Sequence, residues 1–231
     1  MPLPKISTPT YELEIPSTKK KIRYRPFLVK EEKILIIAME SQSDTEIANA
    51  VKDVLSTCIL TKGVKVDTLS TFDIEYLFLN IRGKSVGEDV EVLVTCPDDN
   101  KTKVPVRINL DDIKIITHDD HKRDIKLDDS LMMRMRYPSI NEFIKSNFST
   151  SEVKSEDTFD LIISCIEQIF NDEESWSTSD CTKEEMNDFL DQLNSNQFKE
   201  IEKFFDTMPK LSHTLTVNNP NTKVKSDIKL E

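Results

Sequence analysis

The sequence predicts an α+β fold in which β-hairpins alternate with groups of helices. Apolar and polar residues alternate at period two in three regions, near the N-terminus, in the middle and at the C-terminal end. Between these regions, apolar residues recur at helical spacing behind capping sequences such as Thr182 to Glu185. Only 3 of the 231 residues are glycine, which excludes Gly-rich phosphate loops of the Rossmann or P-loop kind.

The N-terminal hairpin is predicted within residues 10–27, where two alternating runs flank a lysine-rich turn. Its five basic side chains would suit a polyanion, but charges on a small sheet more often serve solvation; they are Lys19, Lys20, Lys21, Arg23 and Arg25. Helices are predicted within residues 28–42, 43–60 and 69–88. The second begins at a Ser43 to Glu46 capping box, and the third ends near Gly83 to Gly87.

The middle of the chain predicts a second hairpin or a three-stranded meander. Its strands are expected within residues 89–96, 101–110 and 113–117. Further strands are expected near residues 124–129 and 131–136, and a helix after Pro138. Residues 148–157 are polar and without periodicity, so we predict a domain boundary there, with an α+β region at 1–147 and a C-terminal region at 158–231.

The C-terminal third predicts helices and then a terminal hairpin. Helical spacing covers residues 158–170, 182–193 and 194–208, where Pro209 stops the last helix. Strands at 211–217 and 222–230 are expected to pair around a Pro-Asn turn. The acidic residues Asp172, Glu173 and Glu174 are interpreted as the solvated end of a helix.

Two segments have the composition of metal sites. Cys96 precedes the acidic turn Asp98 to Asn100, but one cysteine cannot complete a tetrahedral zinc site, and Pro-Asp-Asp-Asn is typical of a turn. His118 and His121 flank two aspartates, which suits a transition metal or a hydrated connection, and we favour the connection. We therefore predict no metal, no cofactor and no catalytic residues.

Two aromatic residues are predicted to bind a partner. Phe205 lies four residues after Ile201 and seven after Phe198, so it is assigned to the core, which leaves Phe204 to contact a partner. Trp176 stands alone in a polar segment, where it is either a partner-binding anchor or a packing residue between helices.

Composition excludes several other classes of function. A formal net charge of −11 disfavours nucleic-acid binding, and no apolar run is long enough to span a membrane. The N-terminal residues lack the apolar core of a signal peptide, so we expect the protein to act in a cytosol with its four cysteines as reduced thiols. Chemistry on a small-molecule substrate is not expected.

Four stretches of the sequence carry a resemblance to a known family. They are PTYELEIPSTKKKIRYRPFLVKEEKIL (9–35), TFDIEYLFLNIRGKSVGE (71–88), MRYPS (135–139) and FKEIEKFFDTMPKLSHTLTV (198–217). Together they resemble the baseplate hub assembly proteins of T-even-like contractile-tailed bacteriophages. The resemblance implies a late viral protein, made in the host bacterial cytoplasm and needed to build the hub, with the virion tail baseplate as its other location.

The resemblance also implies partners and a departure from the family. The implied partners are other baseplate hub proteins, with self-association as a further possibility. Some members of the family carry cysteine pairs that resemble zinc knuckles in the middle or terminal hairpin. This chain has only Cys96 in the first hairpin and no cysteine in the second, which counts against a metal there.

Three functions compete at this point. The favoured one is a non-enzymatic hub subunit or hub assembly chaperone, because no nucleophile, base and oxyanion device can be assembled from the sequence. The second is a metal-dependent hydrolase that uses His118 and His121. The third is an acidic protein that mimics nucleic acid, but the acids interleave with lysines instead of forming one face.

Overall fold

The predicted α+β class is confirmed by a computed structural model that describes residues 6–142 and 155–230. The helices are α1 (Val29–Glu40), α2 (Asp44–Cys58), α3 (Thr71–Val86), α4 (Ser155–Cys165), α5 (Lys183–Asp191) and α6 (Ser195–Thr207). The strands are β1 (Tyr11–Glu14), β2 (Lys21–Tyr24), β3 (Asp89–Thr95), β4 (Lys103–Asn109), β5 (Lys114–Ile116), β6 (Asp124–Lys126), β7 (Met132–Met135), β8 (Ile166–Phe170), β9 (Ser175–Ser177), β10 (Lys210–Asn218) and β11 (Lys225–Leu230).

The chain forms two compact units that are not simple halves of the sequence. One contains residues 1–66, 72–116 and 210–231, and the other contains residues 67–71 and 117–209. Residues 148–154 of the predicted boundary lie outside the described residues, and α4 begins at Ser155. The domain boundary at 148–157 stays a prediction.

In the first unit, β1 and β2 form the expected N-terminal hairpin. The backbone N–H of Arg25 donates to the carbonyl of Cys58 at 3.0 Å, so the strand is bonded to the end of α2. Cys58 itself is fully buried and packs as a small apolar residue. Arg25 does not belong to an exposed basic surface, because its guanidinium pairs with the buried carboxylate of Glu31 at 2.8 Å.

The middle and terminal hairpins also lie in the first unit. β3 and β4 pair with each other in a two-stranded sheet, whereas β5 joins β10 and makes a three-stranded sheet in the order β11-β10-β5. The hairpin alternative is therefore right for residues 89–109, and the third strand pairs with a distant part of the chain. The inward faces of the two hairpins share one apolar core, which contains Val94, Cys96, Ile108, Leu215 and Val217.

The second unit is a four-stranded antiparallel sheet, in the order β6-β7-β8-β9, with α4, α5 and α6. Its core combines residues of the sheet and the helices, including Met133, Met135, Ile166, Ile201 and Phe204. Capping boxes fix the starts of α5 and α6, since Thr182 and Asn194 accept backbone N–H groups of the first turn.

One predicted helix is wrong at its C-terminal end. We expected helical structure through Phe170, but α4 stops at Cys165, and residues 166–170 form β8 in the interior of the sheet. The acidic residues 172–174 consequently lie in the exposed turn between β8 and β9 and not at a helix end. The side chain of Asn171 organises this turn by accepting the backbone N–H groups of Glu173 and Glu174 at 2.9 and 2.6 Å.

Candidate interaction surfaces

The acidic turn after Cys96 is a hydrogen-bonded turn. The Cys96 side chain is fully buried in the core between the hairpins, and burial raises the pKa of its thiol. Asp99 accepts the backbone N–H groups of Lys101 and Thr102, both at 3.0 Å. The carboxylate of Asp99 is thus used to close its own turn, which agrees with the turn interpretation.

The same turn is bonded to the tip of the terminal hairpin. The amide nitrogen of Asn219, a residue only 1% exposed, donates to both carboxylate oxygens of Asp98 at 3.0 Å. Thr222 also donates to Asp98, and this hydrogen bond is the main reason that the pKa of Asp98 lies below its usual value. Asn221 donates to the hydroxyl of Thr102 at 3.0 Å. Polar side chains therefore join the two turns above the shared apolar core.

The two histidines of the second candidate metal site have different surroundings. His118 is exposed, whereas both ring nitrogens of His121 have hydroxyl partners, Thr207 at 2.9 Å and Tyr137 at 3.0 Å. Burial lowers the pKa of His121, although the nearby carboxylate of Asp120 opposes that shift. Asp120 itself pairs with Lys203 at 2.9 Å. Within residues 6–142 and 155–230, no group of three His, Cys, Asp or Glu side chains is arranged to hold a metal ion.

The prediction that Phe205, and not Phe204, is the enclosed ring of the two adjacent phenylalanines is wrong. Phe204 is 2% exposed, and its ring stacks on Tyr137 at a centroid distance of 5.7 Å and lies tilted against His121 at 5.3 Å. Phe205 is only partly buried beside the same core. Positions three and four residues after Ile201 lie on the same side of α6, so spacing alone does not separate them. Phe204 is the enclosed ring because it packs against His121 and Tyr137.

Trp176 lies on β9, the edge strand of the four-stranded sheet. Its side chain is 42% exposed, and its backbone pairs with Ile169 on the inner side. A cavity of about 300 Å³ adjoins it, with an almost wholly apolar lining formed by Leu131, Ile169, Cys181, Met186 and Phe189 together with Glu185. An exposed aromatic ring, an apolar cavity and a strand edge to which no strand of residues 6–142 or 155–230 pairs thus meet at one place.

A second apolar groove lies between α4 and α6 and has a volume of about 720 Å³. It is lined by the rings of Phe159, Phe198 and Phe205, and Phe159 is 42% exposed. Two acidic side chains, Glu202 and Asp206, stand at its margin. The groove is therefore a second candidate surface, and Phe205 contributes to its lining whereas Phe204 does not.

The largest group of exposed apolar side chains that the sequence analysis missed lies on α1. Six exposed residues belong to this helix or precede it directly: Leu28, Val29, Ile34, Ile36, Ile37 and Met39. The opposite face of α1, with Glu31 and Ala38, is buried. The signal was present in the sequence, because a surface helix normally shows an apolar stripe on one face and this helix is apolar nearly all round.

The sequence of the chain can also be compared with those of known proteins. No helix among the described residues is long and apolar enough to cross a membrane. Neither the curated proteins nor the solved structures gave a match to the sequence. A family described as T4 bacteriophage base plate protein matches residues 8–231, nearly the whole length of the chain. The resemblance seen in the sequence is therefore confirmed, and the chain belongs to this family of T4-like phage baseplate proteins.

Proposed function

We propose that this protein is a non-enzymatic subunit or assembly chaperone of the baseplate hub and that it acts through contacts with other hub proteins. Family membership supports a structural role in the baseplate. The proposal places the protein in the host bacterial cytoplasm during assembly and, where it remains in the particle, in the virion tail baseplate.

The observation that carries the proposal is the surface around Trp176. Tryptophan is enriched among the residues that dominate binding energy at protein interfaces, and such anchors sit beside well-packed apolar pockets. An edge strand also offers backbone donors and acceptors to an added strand of a partner. The tryptophan beside an apolar pocket and the edge strand occur together in β9, Ser175–Ser177.

We expect Trp176→Ala to weaken the complex with the other hub proteins by about tenfold or more, since an anchor contributes roughly 2 kcal/mol or more. The comparison variant is Phe159→Ala, which removes another aromatic ring of 42% exposure from the same unit but from the other candidate surface, the groove between α4 and α6. Affinity is measured by titrating each purified variant against the co-expressed hub proteins. Loss of binding by Phe159→Ala alone would move the partner surface to the groove between α4 and α6.

Neither rival function gains support from the described side chains. A hydrolase that uses His118 and His121 would need free ring nitrogens directed at one metal ion, but both nitrogens of His121 are held by hydroxyl groups. A nucleic-acid mimic would need a continuous acidic face, whereas acids such as Asp120, Asp124 and Glu167 pair with nearby cations. Hub assembly through protein contacts is the function that the side chains support best.

A further inference from the structure

The outer face of α1 is an apolar surface that folding of the chain leaves exposed. Val29 and Ile37 are each 66% exposed and Met39 is 67% exposed, values that are unusual for large apolar side chains in a helix of this size. Exposed patches of this kind mark surfaces at which a protein contacts another molecule. α1 packs against α2 and buries the face that holds Glu31 and Ala38, so the outer face is the one that the described part of the chain leaves exposed.

The residues of this face form one stripe along the helix. Val29, Lys33, Ile36, Ile37 and Glu40 occur at spacings of four, seven, eight and eleven residues from the first, so they share one side of α1. All five are exposed. The stripe has a basic residue before its central isoleucines and an acidic residue after them.

This order of charges is complementary to itself when the helix direction is reversed. In an antiparallel pair with a two-fold axis between Ile36 and Ile37, Ile36 of one protomer faces Ile37 of the partner subunit. Lys33 then faces Glu40 of the partner subunit, and the symmetry repeats this ion pair on the other side of the axis. A parallel pair would place like charges together.

We propose that α1 binds α1 of a second copy of this chain in an antiparallel, two-fold symmetric dimer, with Ile36 and Ile37 at its centre and two Lys33–Glu40 pairs at its margins. The proposal is independent of the hub role and uses a surface different from that of Trp176. Association is expected to be reversible. A helix of 12 residues is about 18 Å long and presents a face roughly 10 Å wide, far less than the roughly 800 Å² per partner of a standard stable interface.

The test is the mass of the purified full chain measured by sedimentation equilibrium from about 1 µM to about 500 µM. We expect a monomer–dimer equilibrium in this range. Ile36→Asp should abolish the dimer, because it buries an unpaired carboxylate at the axis. At low concentration the variant should still unfold cooperatively with only a small loss of thermal stability, since Ile36 is 49% exposed in the monomer.

Charge reversal distinguishes this geometry from nonspecific apolar association. Lys33→Glu and Glu40→Lys should each weaken the dimer by roughly tenfold, because two attractive pairs become repulsive. The double variant should restore wild-type affinity, and a mixture of the two single variants should form a heterodimer preferentially. Lys62→Glu, an exposed reversal in the loop after α2, is the matched control and should have no effect.

Two results would overturn the proposal. One is a monomer at every concentration, which would assign the face of α1 to a heterologous partner. The other is a dimer that Ile36→Asp leaves intact or in which the double charge reversal gives no rescue, which would place self-association elsewhere on the chain.

Discussion

Replacement of Phe204 by alanine is expected to lower the free energy of unfolding by about 3 to 5 kcal/mol, the range for a large-to-small change of a buried aromatic residue. The ring is 2% exposed and contacts the rings of His121, Tyr137 and Phe205 at centroid distances between 5.2 and 5.7 Å. Its removal leaves a cavity in the core of the second unit, where these rings have lost their shared neighbour. The change in the free energy of unfolding is measured by urea denaturation followed by fluorescence.

The neighbouring residue is the control for this prediction. Phe205→Ala should cost only about 1 to 2 kcal/mol, because part of that ring already contacts water. Both variants remove the same atoms from adjacent positions of α6, so helix propensity and chain entropy cancel in the comparison. Equal costs, or a larger cost for Phe205→Ala, would show that the ring of Phe204 is not enclosed as described.

Glu31→Ala is expected to cost about 3 kcal/mol, the lower end of the range for removing one partner of a buried ion pair. The Glu31 side chain is 2% exposed, bonds the guanidinium of Arg25 at 2.8 Å and accepts the backbone N–H of Leu28 at 2.8 Å. The variant would leave the charge of Arg25 partly buried without its partner and would uncap α1. Glu32→Ala, the next residue of the same helical turn, is the control, and its cost should stay within about 0.5 kcal/mol.

The same carboxylate predicts a pH dependence of stability. Burial alone would raise the pKa of Glu31, but hydrogen bonds from Arg25 and from the backbone of Leu28 outweigh burial and hold the pKa at about 2, below its ordinary value of 4.5. The folded state therefore binds the proton less tightly than the unfolded state. The stabilisation is complete above pH 4.5 and is lost as the pH falls from 4.5 towards 2.

Denaturant unfolding at neutral pH and at about pH 3 checks this dependence. The wild-type protein should lose more stability between the two values than Glu31→Ala, because the variant lacks the titrating group. An identical loss in both proteins would mean that Glu31 keeps its ordinary pKa in the folded state and that its pair with Arg25 contributes nothing.

Most elements of the fold could be predicted because their signals are local. Capping residues at Ser43 and Thr182 mark the starts of helices, and alternation around polar turns marks the hairpins. The partner of β5 could not be predicted, since its pairing with β10 joins residues nearly a hundred positions apart. Register between distant strands is set by tertiary packing, which a single sequence does not display.

The error at β8 has a similar cause. Ile166 and Ile169 are three residues apart, a spacing that suits a helix but also occurs on a buried strand that contains an irregularity. The pairing of β7 with β8 shifts register between Arg134 and Met135, so that Met133 faces Ile169 while Met135 faces Ile166. Hydrogen bonding to β7 and β9 on both sides overrides the helical period of this short apolar run.

Some features of the interaction surfaces could also be predicted from the sequence, and others could not. Trp176 could be singled out from its isolation in a polar segment, although its place on an edge strand could not. Phe204 was assigned to the wrong side because its enclosure depends on His121 and Tyr137, which lie more than sixty residues away in sequence. The sequence shows that α1 is rich in apolar residues. Which of them form the exposed outer face is known only from the structure, because it shows which face is buried.

The central claim is that this baseplate protein acts by binding other hub proteins, and the mass of its complexes tests that claim most directly. The chain would be co-expressed with the other hub proteins of the same phage, purified through a tag on one of those proteins and weighed by native mass spectrometry. We expect a complex of defined stoichiometry that contains this chain. Recovery of the other hub proteins as a complete assembly without this chain, when all are soluble, would contradict it.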